Sequence, residues 1–275
     1  MSRLLLHLLF TILNLIILCH MNSIVPLPYM DELFHFIQAQ QYSLGHFTFW
    51  HEKITTPPGI YLISIITRSS NLFLLRLTSN LSLSALPFFI QKYPVTIASF
   101  PIAWFFGFLY YTDLQSLLFV LATLSAADAS SHSLAAFLGF CSCFFRQTNI
   151  IWLAYAYAKS LNIPSTQDLF HDIISIPRLI SLSIIPYAIV FALFALFVVW
   201  NGGIVLGDKS NHIPVLHIPQ LYYFLAFATF FGFPVLFSRG ILFPEIFSRM
   251  FGTPRRLLIT AITLALMSLS VHHFT

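Results

Sequence analysis

The chain has 275 residues, of which 8% are charged and 58% are hydrophobic, whereas a soluble globular protein carries roughly 25% charged residues. So few charges cannot cover a soluble domain of this length, the 31 Phe exclude disorder, and only three Cys exclude a disulfide-stapled scaffold. The net charge of +4 includes no basic run longer than Arg255-Arg256, so nucleic acid is not an expected partner. The composition therefore predicts an all-α polytopic membrane protein, with residues 1–275 forming a single transmembrane domain.

Nine apolar segments are candidate membrane spans, because a helix needs about 20 apolar residues to cross the hydrocarbon core. They are 4–21, 72–91, 94–112, 113–128, 132–145, 147–158, 179–200, 214–238 and 256–272. The first segment lacks a small-residue cleavage site, so we expect a retained anchor rather than a signal peptide. Arg146 and Gln147 interrupt the stretch 132–158, which predicts two half-length helices that meet at a polar hinge.

The charges distribute unequally if the N-terminus is cytosolic and the chain crosses the membrane at each of these segments. Eight of the 13 basic residues then lie on the cytosolic side, as the positive-inside rule requires. They are Arg3, Lys92, Lys159, Arg178, Arg239, Arg249, Arg255 and Arg256. The acids Asp31, Glu32, Glu52, Asp113 and Asp208 lie on the opposite side. The distribution predicts a cytosolic linker at 159–178 and an opposite face that carries the carboxylates.

The segment 24–70 is too polar to cross a bilayer and too apolar to be a free loop. It contains Asp31 and Glu32, followed by a helical stretch, Leu33–Tyr42. At helical spacing, Asp31, His35 and Gln38 share one face. We expect this helix to lie on the membrane surface and to present carboxylates to a water-accessible cleft.

Asp31 and Glu32 are the candidate catalytic residues. Carboxylates at the mouth of a membrane protein are costly unless they are hydrated or paired, which favours a functional site, and one of them could act as a general base on a sugar hydroxyl. The alternative is that both are helix N-terminal acids stabilised by the helix dipole. Adjacent helical residues point about 100° apart, so we expect Asp31, on the face of His35, to line the cleft rather than Glu32.

Arg146 lies within an apolar run, so its guanidinium needs an anion, and its forked geometry suits phosphate. Asp113 precedes a predicted span and is interpreted as a helix N-cap or as a cleft residue. The polar loop 201–213 contains glycines that allow its backbone to approach a ligand, although an ordinary interhelical turn remains the alternative. The candidate substrate-binding residues are His35, Asp113, Arg146, Gln147, Asp208, Lys209 and His212. No HExxH or DxD motif occurs, so neither a metal nor another cofactor is expected.

Six blocks of the sequence occur in an order that is typical of one enzyme family. They are Met30–His35, Ile54–Ser64, Phe108–Asp113, Ala136–Trp152, Asn201–His212 and Leu216–Phe224. Together they resemble the dolichyl-phosphate-glucose-dependent α-1,2-glucosyltransferases of the endoplasmic reticulum, which belong to the GT-C class of glycosyltransferases. The resemblance implies a GT-C-like bundle of about nine transmembrane helices with an amphipathic helix in its first lumenal loop. It also implies a multi-pass protein of the endoplasmic reticulum membrane with a lumenal active site.

The resemblance further implies a reaction. Glucose passes from dolichyl phosphate glucose to the terminal glucose of the dolichyl-pyrophosphate oligosaccharide used for N-glycosylation, with inversion at the anomeric carbon. By analogy with GT-C enzymes, Asp31 is the catalytic base, and Arg146, with Lys209 as a second candidate, stabilises the leaving phosphate. The implied partners are the two lipid-linked sugars and the surrounding membrane lipid.

Three alternatives stay open on the sequence. Members of the resembled family continue beyond the counterpart of Val271, so the chain is expected to be shortened there and could be an inactive member. A second alternative is another GT-C lipid-sugar transferase, such as a mannosyltransferase, against which the ITTPPG and GDKSNH blocks argue. A transporter is less favoured, because transporters place ionisable groups at the membrane midplane and these acids gather at one face.

Overall fold

The computed structural model describes residues 3–67, 71–160, 184–209, 218–238, 247–248 and 250–274. Within these ranges the chain forms helices and no β-strand, which confirms the all-α class. The chain divides into two compact units, Met1–His212 and Ile213–Thr275. Most of the predicted cytosolic linker, 161–178, lies outside the described residues, as does the predicted site residue His212.

The helices of the first unit are α1 (Arg3–Ile24), α2 (Glu32–Ser43), α3 (Gly59–Thr67), α4 (Leu72–Ala85), α5 (Pro94–Ala98), α6 (Pro101–Phe106), α7 (Asp113–Asp128), α8 (His132–Cys143), α9 (Ile150–Ser160) and α10 (Ile184–Asn201). Two 3₁₀ turns, Leu86–Phe88 and Gln147–Asn149, follow α4 and precede α9. The second unit contains α11 (Ile218–Ser238) and α12 (Pro254–Phe274). These two helices contact one another, and Ser270 Oγ donates to the Tyr222 hydroxyl at 3.1 Å.

Among the described helices, α1 and the segment Pro254–Val271 of α12 are long and apolar enough to cross a membrane. Shorter apolar helices cover Leu72–Phe88, His132–Cys143, Ile185–Asn201 and Ile218–Gly232. Crossing the membrane at nine segments therefore stays a prediction, as does the single transmembrane domain.

The continuous helix expected over 94–112 is two short helices, α5 and α6. Proline begins each of them, at Pro94 and Pro101. Because Pro101 has no N–H to donate and disfavours a helical residue before it, α5 ends at Ala98 and Phe100 is extended, with a ψ of 131°. The continuous helix expected there is wrong, and its physical cause is a proline that the apolar count ignored.

Helices α7, α8, α9 and α10 pack closely because small residues lie at their contacts. The buried cluster they share includes Ala126, Ala127, Ala135, Ala136 and Ala156. Gly139 of α8 lies so close to Leu153 of α9 that a β-carbon would overlap the leucine side chain. Such contacts let helix backbones approach closely where water provides no driving force.

The polar hinge predicted between α8 and α9 is confirmed. Backbone carbonyls at the break accept hydrogen bonds from other groups. Asn149 Nδ2 donates to Ser116 Oγ at 2.7 Å and to the Ser142 carbonyl at 2.9 Å. The Gly59 amide donates to the Phe144 carbonyl at 2.8 Å, where any side chain would collide. The start of α3 is thereby docked against the end of α8, next to Arg146.

Candidate active site

A cleft of about 630 Å³ opens at one end of the first unit, where α2 and α7 begin and α8 gives way to α9. Four residues predicted from the sequence line it: Asp31, His35, Arg146 and Asp208. Glu52 and Lys53 add two further charges. The cleft therefore combines carboxylates, cations and an imidazole in one water-accessible volume.

Asp31 is the residue that precedes α2. Its side chain is exposed, lines the cleft, and makes no capping hydrogen bond to the helix. Met30 before it has a φ of 53°, in the left-handed region, which costs a non-glycine residue roughly 1–2 kcal/mol. This strain must be offset by other contacts, and these are the hydrogen bonds of Glu32, two residues after Met30.

Glu32 points the other way, into the protein, and is fully buried. Its carboxylate accepts hydrogen bonds from the backbone amides of Tyr29 at 2.9 Å and Tyr110 at 2.7 Å. It also pairs with the buried guanidinium of Arg76 through contacts of 2.9 and 2.7 Å. Glu32 thus closes the turn around Met30 and holds the start of α2 against α4.

The remaining N–H groups of Arg76 donate hydrogen bonds to residues at the end of α1 and just after it. Nη1 donates to Asn22 Oδ1 at 3.2 Å and to the Val25 carbonyl at 2.7 Å, and Nη2 donates to the Leu27 carbonyl at 3.0 Å. We call Arg76 and Glu32 together the buried ion pair. Sequence reasoning missed Arg76, although a lone arginine in an apolar helix is a signal that a buried anion lies nearby.

His35 lies one helical turn beyond Asp31, on the cleft side of α2. Its Nδ1 is 2.5 Å from the hydroxyl of Tyr61. Burial lowers the pKa of His35 from 6.5 to about 4; Asp31 opposes this shift and Arg146 adds to it. The imidazole is therefore neutral near pH 7, with one nitrogen engaged by tyrosine.

Gln38, which the sequence placed on the same face, does not line the cleft. It is buried, where its Nε2 donates to the Phe49 carbonyl and its Oε1 accepts from the His51 amide, both at 2.8 Å. Gln38 therefore fastens the following loop to α2, and that loop carries Glu52 and Lys53 into the cleft.

Arg146 finds its anion in Asp113. Nη2 of Arg146 and Oδ1 of Asp113 are 2.7 Å apart, with the side chains 43% and 26% exposed. Asp113 does not cap α7, because Thr112 occupies the N-cap position. Arg146 Nε and Asp113 Oδ2 are buried without a hydrogen-bond partner in the described chain. This half-exposed pair retains unsatisfied polar atoms beside the cleft.

At the cleft, the glycine-rich loop packs against the backbone of the segment that contains Glu52 and Ile54. Gly207 has a φ of 67°, and a β-carbon there would overlap the carbonyl oxygens of Glu52 and Ile54. The adjacent Asp208 amide donates to the Glu52 carbonyl at 2.9 Å, which brings Asp208 to the cleft. Lys209 instead donates to the Asn201 carbonyl and is not among the lining residues.

An apolar groove of about 180 Å³ lies beside the cleft. Neighbouring residues of the same three segments line the two spaces: Arg146 and Gln147, Thr56 and Pro57, Asp208 and Leu206. Phe194 and Phe197 of α10 form part of its wall.

Gln147 anchors the boundary between the cleft and the groove. Its Nε2 donates to the carbonyls of Thr55 at 2.7 Å and Ile204 at 3.1 Å. Among the residues that the structure describes, no group of three His, Cys, Asp or Glu side chains could hold a metal ion.

The amino-acid sequence is similar to known sequences. A profile of the DIE2/ALG10 family matches residues 25–169 and 159–275. The chain belongs to the DIE2/ALG10 family. The family resemblance read from the six sequence blocks is thereby confirmed. No solved structure matches the chain.

Curated relatives in this family carry one name, Dol-P-Glc:Glc(2)Man(9)GlcNAc(2)-PP-Dol alpha-1,2-glucosyltransferase. The human protein is 34% identical over 277 residues, which cover 77% of this chain and 58% of the human one. The Kluyveromyces lactis and Yarrowia lipolytica proteins are 34% and 36% identical, covering 79% of this chain and 47% and 50% of their own. The chain thus spans about half the length of the curated relatives it matches.

Proposed function

We propose that this chain transfers glucose from dolichyl phosphate glucose to the terminal glucose of a dolichyl-pyrophosphate oligosaccharide, forming an α-1,2 linkage for N-glycosylation. The observation that carries the proposal is one cleft that both Asp31 and Arg146 line, with an apolar groove beside it. A lipid-linked sugar has the corresponding three parts: a sugar, a phosphate and a hydrocarbon tail. The names of the human and yeast relatives state the same donor and acceptor.

The donor phosphate binds at the cations of the cleft. Arg146 offers a guanidinium that is already positioned by Asp113, and Lys53 lies 5.0 Å above the ring of Phe34. A hydrogen bond between charged partners contributes about 1.5–3 kcal/mol. The apolar groove next to Arg146 accepts the first part of the isoprenoid tail, which sets the glucose in the cleft near Asp31. Lys53 replaces Lys209 as the second cation of the proposal.

Asp31 acts as the general base. Its carboxylate accepts the proton of the acceptor glucose 2-hydroxyl while that oxygen attacks the anomeric carbon of the donor. As the new bond forms, the bond from that carbon to the phosphate oxygen breaks, and its electron pair leaves with dolichyl phosphate. Arg146 stabilises the negative charge of the leaving group. One displacement converts the β-linked donor into the α-linked product.

His35 orients a sugar hydroxyl rather than moving a proton. Its pKa of about 4 keeps it neutral near pH 7, and Tyr61 engages Nδ1. The second ring nitrogen is then a hydrogen-bonding group of fixed direction, one turn from the base.

The direct test is complementation of cells that lack the terminal glucosyltransferase. The number of glucoses on their lipid-linked oligosaccharide is measured by mass spectrometry, with Asp31→Asn, expressed to the same level, as the control. We expect the third glucose to return with the parent chain alone. A folded, membrane-inserted parent chain that adds no glucose to this acceptor contradicts the proposal, and so does a control that restores it fully.

The proposal also assigns sides to the chain in the endoplasmic reticulum membrane. The segments 24–56 and 201–213, which bear cleft residues, are lumenal, and 160–178 and 239–255 are cytosolic. The unequal distribution of basic residues supports this assignment. Glycosylation acceptors inserted into each segment test it, since lumenal acceptors alone are modified. Modification within 160–178 would reject this topology.

A further inference from the structure

A second polar cleft, of about 480 Å³, lies at the other end of the first unit. It is formed where α1 begins, where α4, α7 and α9 end, and where α5 starts. Helix α7 runs from the first cleft, at Asp113, to this one, at Asp128, a length of roughly 23 Å at 1.5 Å per residue. The second cleft is therefore separate from the candidate active site, and no step of the proposed reaction uses it. We call it the distal cleft.

The polar lining of the distal cleft favours an anion. Arg3 and Lys159 contribute two cations, and Asp128, the carboxylate among its lining residues, is 2.6 Å from Lys159 Nζ. Arg3 lies in the first turn of α1, where the helix dipole also attracts negative charge. Gln91 adds an amide. The net charge of the lining is positive, and the donors outnumber the acceptors.

His7 provides an observation independent of charge. It lines the distal cleft, and its Nε2 is buried without a hydrogen-bond partner in the described part of the chain. Its ring packs edge-on against Phe88, with centroids 5.0 Å apart. A buried ring nitrogen is left unpaired only at a cost in free energy, and a phosphate oxygen in the cleft would remove that cost once the ring turns towards it.

The rim of the distal cleft is apolar and exposed. Phe88 and Phe89 line the cleft and are 67% and 37% exposed, and Tyr93, which directly precedes the lining residue Pro94, is 77% exposed. Pro94 begins the short helix α5 at the same place. Aromatic side chains of this kind are enriched at the boundary between headgroups and hydrocarbon. The rim thus suits a molecule that carries acyl chains as well as a charged group.

We propose that the distal cleft binds the phosphate of an anionic phospholipid, with Arg3 and Lys159 contacting the phosphate oxygens and the acyl chains lying along the Phe88–Tyr93 rim. A free phosphate ion shares the charge chemistry and makes no use of the rim. Each cation close to an anionic membrane surface contributes to binding by about fivefold. Asp128 competes with the phosphate for Lys159 and weakens the site.

The test uses the purified full chain in nanodiscs of phosphatidylcholine, with or without phosphatidic acid, and counts retained phosphatidic acid by native mass spectrometry. We expect Arg3→Gln and Lys159→Gln each to lower retention about fivefold. The matched control is Lys92→Gln, which removes one exposed cation next to Gln91 without touching the cleft. Its retention should fall less than that of either cleft variant, because Lys92 does not contact the bound phosphate.

A variant that is expected to increase retention distinguishes loss of the site from misfolding. Asp128→Asn frees Lys159 and should increase retention, a result that a damaged protein would not give. Unchanged or weaker retention in Asp128→Asn overturns the proposal, as does an equal loss in Lys92→Gln and Lys159→Gln. Inorganic phosphate that displaces phosphatidic acid at equal concentration identifies a free anion as the ligand and also overturns it. The measurement contains no transfer step, so its outcome is independent of the proposed function.

Discussion

At the start of α7, Asp113 accepts a hydrogen bond from Arg146 at 2.7 Å, and at its end Asp128 lies 2.6 Å from Lys159. The two pairs connect the two ends of α7 to residues before and at the end of α9, and the four side chains have similar exposure. Their surroundings differ. Arg146 of the first pair shares its cleft with Asp31 and a neutral His35, whereas both members of the second pair share theirs with Arg3 and His7.

This difference means that an ion pair of ordinary geometry does not define a site. Half-exposed pairs of this kind contribute about 0–1 kcal/mol to stability wherever they occur. The groups that share the cleft with each pair determine what can bind. A carboxylate next to a cation suits chemistry on a sugar phosphate, and two cations beside an apolar rim suit a lipid headgroup.

The largest effect is expected from Asp31→Asn at the active end. Removing a general base lowers the rate by about a hundredfold to ten-thousandfold, while donor binding and thermal stability should remain near those of the parent chain. Transfer of labelled glucose by purified protein measures the rate, with Lys92→Gln as the active control. A rate close to the parent would move the base to Glu52 or Asp208, the other carboxylates that line the cleft.

The buried ion pair should respond very differently from the exposed ones. Arg76→Met leaves the Glu32 carboxylate buried and unpaired, which costs about 3–5 kcal/mol of folding free energy. Lys159→Met, at the exposed pair, should cost at most about 1 kcal/mol. Thermal unfolding in detergent measures both. If the two substitutions lower stability equally, the distinction between the buried and exposed pairs is wrong.

A third, smaller effect is expected when Arg146 becomes Lys. The charge remains, but an ammonium group cannot contact Asp113 and a phosphate with the planar fork of a guanidinium. We expect a loss of about 1.5–3 kcal/mol in the use of the donor, as for a charge-assisted hydrogen bond. Kinetics at varied dolichyl phosphate glucose, with unfolding temperature as the control, separate binding from folding. Normal kinetics in folded protein would exclude Arg146 as the phosphate ligand.

The last prediction concerns pH. The pKa of His35 is 6.5 in the unfolded chain and about 4 in the folded one, so between these values only the unfolded chain binds the proton. Stability should therefore fall as the pH decreases through this range, by up to about 1.4 kcal/mol per unit, and this loss should be absent above it. Unfolding temperatures of the parent and His35→Gln measure the slope, and identical slopes would contradict the assignment.

Local sequence signals predicted much of the fold. Apolar runs predicted α1, α7 and α8, and the polar residues at 146–149 predicted the break before α9. The 100° between neighbouring helical residues separated exposed Asp31 from buried Glu32. These features depend on residues a few positions apart, which is why they could be read directly.

Features that depend on distant segments could not be read in this way. Glu32 and Arg76 are 44 residues apart, and Asp113 and Arg146 are 33 apart. Neither separation follows a helical period, so the sequence showed charges that need partners without showing which ones. Asp208 and Lys209 were both predicted from loop composition, and the backbone path at Gly207 brings Asp208, but not Lys209, to the lining of the cleft.

The buried ion pair also sets an order for synthesis at the membrane. Arg76 emerges from the ribosome 44 residues after Glu32, whose carboxylate cannot be buried alone without a large penalty. The loop that carries Asp31 therefore stays hydrated and unformed until α4 has been synthesised and supplies the guanidinium. Formation of the loop between α1 and α4 is thus coupled to the arrival of α4, and a nascent chain stalled before residue 76 should expose this loop to protease.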